Sequence, residues 1–117
     1  MELHEVTYDD AVPVEGYGPG FFRVAGQVFH GPCLVTSRAA RSWGGLEDLA
    51  TLEALSGDVD VLFMGMGAEI AHAPAGLRVR MEGLGIGVEV MNSPAACRTY
   101  NVLVNEGRRV ALAVLPV

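Results

Sequence analysis

The residues of this chain best suited to chemistry fall into a few groupings. Cys97 and Arg98 stand side by side near the expected start of a helix, where the helix dipole and a neighbouring guanidinium both favour a thiolate. Arg98, Asn101 and Asn105 recur at helical spacing and so share a face, from which a planar guanidinium can fork to a carboxylate or phosphate. Gly65-Met66-Gly67 follows an apolar run and precedes an acidic residue, Glu89, as in a dinucleotide-binding loop. Each grouping also has a plainer reading. Cys97 reads equally as a small buried thiol, and His4, His30 and His72 are too scattered to supply its base or a metal-ligand spacing. The polar face reads as a solvated one. The Gly-x-Gly lacks its third glycine, because position 70 is Ile, and Pro74 interrupts the helix that should face a phosphate. What remains is a turn at the carboxyl end of a strand, the place where open α/β sheets take ligands. Met64, Met66 and Met91 read as core or pocket lining rather than a cofactor box.

The element that must position most of these side chains runs from Met91 to Leu115. Asn92 or Ser93 can cap a helix, Pro94 suits its first turn, and Gly107 supplies the left-handed residue after it. On a helix from Pro94 to Glu106, Ala96, Tyr100 and Leu103 share one face, with Ala95, Thr99 and Val102 beside it, and these are expected to be core. Glu106 in the last turn opposes the dipole, so Arg108 or Arg109, or an arginine from another segment, is expected to neutralise it and fix the turn into the closing strand, Val110 to Leu115.

Upstream, residues 1–20 are polar and turn-rich and are expected to form a loosely attached arm that adds a strand or wraps the domain. Phe21–Val24 and Gln27–Phe29 flank Ala25-Gly26 as a tight β-hairpin, and Pro32–Val35 makes a third short strand, with Val24, Val28 and Leu34 on the buried face. Thr36–Gly45 reads as a connection carrying Arg38, Arg41 and Trp43, followed by a helix over Leu46–Leu55. Val59–Met64 is an apolar run expected to be a strand covered on both faces. Then come a loop broken by Pro74, a short helix over Leu77–Glu82 and a strand at Gly87–Met91. The resulting order, βββ-αβ-αβ-αβ, predicts a parallel or mixed sheet with helices packed on it.

Composition narrows the function classes. A chain of 117 residues that is half hydrophobic makes one domain with its own core. Its formal charge of −6 disfavours a nucleic-acid partner. Lys+Arg are all arginine, which fits a GC-rich bacterial genome and removes Schiff-base and P-loop lysines from consideration. Cys33 and Cys97 are far apart and read as reduced thiols. The apolar stretches are too short to span a bilayer, and the first residues show neither a basic n-region nor an apolar h-region. The expectation is a soluble, cytoplasmic chain without membrane insertion, metal or cofactor. No residue pattern argues for an oligomeric state.

Taken together, the Gly-x-Gly after a buried strand, Gly-Ile-Gly-Val-Glu-Val-Met, and Ala-Ala-Cys-Arg-Thr-Tyr-Asn-Val-Leu-x-x-Glu-Gly-Arg-Arg-Val-Ala resemble a small Mth-type domain family. That family includes mitochondrial complex I assembly factor 3, the adipogenesis-associated Mth domain protein and many uncharacterised bacterial and archaeal members. The resemblance runs from about Phe21 to Leu115, and Trp43 also fits it. It implies a compact three-layer α/β domain with a mixed central sheet and no firmly assigned catalysis. Gly65, Gly67, Cys97, Arg98, Thr99, Asn101, Glu106 and Arg109 match its motif. The resulting expectation is a non-enzymatic accessory protein in the maturation of a membrane-associated complex. Its working surface would be built from Trp43, Gly65, Gly67, Cys97, Arg98 and Asn101, with Thr99, Glu106, Gly107 and Arg109 as structural motif. The alternative is a small-molecule or anion binder, or an enzyme, using Arg98 and Cys97.

Overall fold

The chain closes with Val-Ala-Leu-Ala-Val-Leu, and that alternation dictates the architecture. In a strand, alternate residues face opposite sides. Val110, Leu112 and Val114 therefore enter one hydrophobic core while Ala111 and Ala113 enter a second. The computed structural model describes residues 5–117; His4 lies outside them. In chain order the elements are β1 (Glu5–Thr7), β2 (Val14–Gly18), β3 (Phe21–Val24), β4 (Gln27–His30), β5 (Cys33–Val35), β6 (Ala39–Ser42), α1 (Leu49–Glu53), β7 (Val61–Met66), α2 (Ala75–Gly83), β8 (Gly87–Met91), α3 (Ser93–Asn105) and β9 (Val110–Leu115).

Six strands form the main sheet in the order β1-β6-β5-β9-β7-β8, and β2-β3-β4 form a small antiparallel sheet. The main sheet is mixed: β7 runs parallel to both β8 and β9, whereas β5 is antiparallel to β9. Helices α1 and α2 cover one face through Leu52, Leu77 and Met81, together with Trp43. Helix α3 and the small sheet cover the other through Ala96, Cys97 and Tyr100 and through Phe22, Val24 and Phe29. This is the three-layer α/β fold with a mixed sheet and an N-terminal hairpin that the sequence implied.

The differences from the sequence reading have local causes. Residues 5–20 do add strands, β1 and β2, to both sheets, whereas Thr36–Gly45, read as a connection, contains β6. Ala-Ala-Arg-Ser has little intrinsic β preference; it is a strand because it lies between β1 and β5. Thr36 sets the turn before it, its Oγ1 accepting from the amides of Arg38 and Ala39 at 3.2 and 3.1 Å. In the hairpin, Ala25 and Gly26 have φ of 51° and 75°, the positive pair that a two-residue turn between twisted strands needs. That register opposes Phe22 to Phe29, so Phe29 and not Val28 is the buried residue of β4. Helix α1 starts later than expected because Asp48 caps it, accepting from Thr51 N and Oγ1 at 3.2 and 2.6 Å. Pro74 does not break α2 but immediately precedes its first residue, and β7 runs on through Met66.

Helix α3 begins and ends as its sequence dictates. Asn92 Oδ1 accepts from Ala95 N at 2.8 Å, with Pro94 in the first turn. At the other end Gly107 has φ of 79°, its amide donates to Val104 O, and the amide of Arg108 reaches back to Leu103 O. That pair of bonds satisfies the last carbonyls without a side chain. Val102, expected in the core, is 57% exposed, because the buried stripe runs through Ala96, Cys97, Tyr100 and Val104.

Candidate functional site

The carboxyl ends of the three parallel strands are where a ligand crevice belongs in a sheet of this kind. Ser93, the buried polar residue at the first position of α3, fills it. Its Oγ accepts from Gly67 N at 2.9 Å and donates to Leu115 O at 2.6 Å, while its own amide donates to Gly67 O at 2.7 Å. One side chain thus ties the end of β7 to the end of β9 from the start of the helix that follows β8. Gly65 makes the approach feasible: a Cβ there would lie 2.7 Å from Ser93 Cα and Oγ and 2.8 Å from Val114 Cγ1.

The helix start is equally closed. A phosphate site needs free amides in the first turn. Here Ser93 N is used by Gly67 O, Pro94 has no N–H, Ala95 N is used by the Asn92 cap, and Ala96 N is used by Asn92 O. The Gly65–Gly67 turn is a packing joint and not a phosphate cradle.

The remaining expected site residues do not converge on one cavity. Trp43 is only 4% exposed and lies in the core on the α1–α2 side, its indole N–H donating to Asp48 O at 3.0 Å. The main sheet separates it from Cys97, so it cannot share a surface with α3. Cys97 is buried in the other core with Cys33. Burial pushes the Cys97 thiol up to about 11 against a smaller pull from Arg98, and burial with Cys97 nearby pushes Cys33 up to about 12. Both are protonated at neutral pH, the opposite of an activated nucleophile.

Asn101 is turned to structure as well. Its Oδ1 accepts from Val14 N at 2.8 Å and its Nδ2 donates to Val14 O at 3.1 Å, pinning β2 to α3. Thr99 Oγ1 lies 3.5 Å from Met91 Sδ. Arg109 pairs with Asp60 at 3.6 Å and donates to Gly57 O at 2.9 Å, and among the described residues no ion pair joins it or Arg108 to Glu106. Glu106 is exposed at the helix end, where water screens it and no clamp is needed. Arg98 is exposed, and among the described residues no hydrogen bond or ion pair engages its guanidinium. Within the core, the Tyr8 hydroxyl donates to Thr36 O at 2.6 Å, whereas the buried Tyr100 hydroxyl has no hydrogen-bond partner among the described residues.

The comparisons with known proteins fit this picture. The model of a family described as "Protein of unknown function (DUF498/DUF598)" matches residues 14–115. The chain belongs to the DUF498/Mth938-like family. Within that family an uncharacterized protein of Rhodobacter capsulatus is 53% identical over 99% of this chain and 94% of its own length. NADH dehydrogenase [ubiquinone] 1 alpha subcomplex assembly factor 3 of Danio rerio is 32% identical over 88% of this chain, which spans only 63% of that protein. Among solved structures, an outer membrane protein from Bartonella henselae superposes with a TM-score of 0.83 at 31% identity, covering 92% of this chain and 97% of that one. Among the described residues here, no helix is long and apolar enough to cross a membrane.

Ser93 entered the sequence reading only as an alternative cap. The signal that could have singled it out is a small polar residue between a strand and Pro94, facing a Gly-x-Gly.

Proposed function

We propose that this family member is a non-enzymatic accessory protein that acts through protein–protein contacts in maturing a membrane-associated complex, a reading supported by relatives named as assembly factors of NADH dehydrogenase. The observation that carries this reading is the Ser93 joint. The crevice and helix start where an α/β domain would hold a small ligand are filled by the chain's own groups. The alternative, an anion binder or enzyme around Arg98 and Cys97, keeps a free guanidinium but loses its nucleophile to burial. Arg98 then serves as a contact residue on the outer face of α3, and the cytoplasm is the compartment in which the reading places it.

A tagged pull-down from gently solubilised membranes and cytosol of the native host, analysed by mass spectrometry, tests this. Subunits of one membrane complex captured by the native chain, and lost with a folded Arg98→Ala variant, are the expected outcome. If neither sample captures a specific partner, the accessory reading fails.

A further inference from the structure

The main sheet ends at β8, and this edge differs from the rest of the molecule. Gly87 N donates inward to Asp60 O at 2.9 Å, so the alternate residues Val88 and Val90 turn their backbone groups outward. Among the described residues no strand lies beyond β8. Instead, Arg78 from α2 reaches across, its Nη1 donating to Val88 O at 2.9 Å. A flexible side chain, itself 43% exposed, stands where a neighbouring strand would bond. Such edges are templates for another chain unless they are blocked.

Beside the edge lies a shallow cavity of about 190 Å³ lined by Ile70, Ala71, His72, Arg78 and Val90. Ile70 is 70% exposed there, so an apolar surface adjoins the free backbone groups. The surrounding charge is acidic: Glu69, Glu82 and Glu89 are exposed, and Arg78 is shared with Glu82 at 3.7 Å. Pairing with a second copy in the register that sets Val88 opposite Val90, which uses both residues of the edge, is disfavoured because it would set Glu89 against its own image.

We infer that the β8 edge is the docking edge for an extended, cationic segment of a partner protein, which adds as a further strand and rests its apolar side chains against Ile70 and Val90. Backbone bonds to Val88 and Val90 supply the register, and the carboxylates select arginine or lysine beside them. Arg78 is displaced from Val88 O as the segment binds. This inference rests on the proposed accessory role and adds a second contact surface to the one at Arg98.

The test is an NMR titration of the full ¹⁵N-labelled chain with a heptapeptide of alternating valine and threonine bearing arginine at both ends. The amides of Val88 and Val90 should shift and exchange more slowly by about tenfold or more, while that of Glu89, already facing β7, stays unchanged. A glutamate-flanked peptide should bind at least about fivefold more weakly. Val90→Pro, tolerated where an N–H faces outward, should abolish binding, whereas Arg78→Ala should retain or strengthen it. If Val90→Pro does not fold, a peptide N-methylated at alternate amides carries the same test from the other side. No shift at these amides, shifts centred elsewhere, equal binding of the glutamate peptide, or concentration-dependent pairing of the chain with itself would each overturn the assignment. A peptide that fails while the pull-down still captures its complex removes the edge and leaves the accessory role. A bound peptide beside an empty pull-down does the reverse.

Discussion

The two boundaries of the parallel half of this sheet are built on opposite terms. At the carboxyl ends of β7 and β9 the mobile-looking Gly-x-Gly turn is locked, since Ser93 uses both capacities of its hydroxyl and the first amides of α3 all have partners or lack a hydrogen. At the β8 edge, regular backbone is left with one exposed arginine as its cover. The contrast shows that glycine content does not locate a binding site. The proposed docking edge instead follows unspent hydrogen-bonding capacity, which here sits on a strand with ordinary residues.

The contrast can be broken most severely at Gly65. Gly65→Ala forces a methyl into Ser93 and Val114, and we expect a loss of about 3 kcal/mol or failure to fold, read from urea denaturation. Ser93→Ala keeps the packing but strands Gly67 N–H and Leu115 C=O in the interior; about 1–3 kcal/mol should be lost, with the Gly67 amide exchanging faster.

A gentler probe is pH, because the core beneath α3 holds two protonated thiols. Both folded values lie above the ordinary thiol value near 9, reaching about 11 for Cys97 and about 12 for Cys33. Over that interval the unfolded chain has lost protons that the folded chain keeps. Stability should therefore be whole below about pH 9 and fall as pH rises through 11 toward 12, a slope that Cys97→Ala reduces. Unchanged urea midpoints across that range would contradict the buried, neutral thiols. The smallest effect belongs to the edge: Arg78→Ala should change stability by less than about 0.5 kcal/mol, since its ion pair with Glu82 is solvent-exposed and water can take its place at the outward-facing Val88 O. A larger loss would mean that the edge is locked like the joint, and the distinction would collapse.

What could be read from the sequence was whatever is signalled locally. Asn92, Pro94 and Gly107 mark the ends of α3 within a few residues of where they act, and alternation in β9 declares both cores. What could not be read depends on partners far along the chain. Strand β6 exists through its neighbours, Trp43 is buried in one core with Leu77 and Met81 of α2, and Asn101 answers to Val14, 87 residues away. The site suffered most for this reason. Most of the residues singled out for surface chemistry had already been claimed by the interior, whereas Arg98 stayed exposed and, among the described residues, unpaired.

The Ser93 joint also orders events in time. It connects residues 67, 93 and 115, so it cannot form until both helical crossovers have closed and the last strand has inserted between β5 and β7. Contacts that close last are expected to weigh on unfolding more than on folding, so Ser93→Ala should accelerate unfolding while leaving the folding rate nearly unchanged, which stopped-flow kinetics in urea would read. On that expectation the hydroxyl is a latch on lifetime, governing how long the finished sheet persists rather than how quickly it assembles.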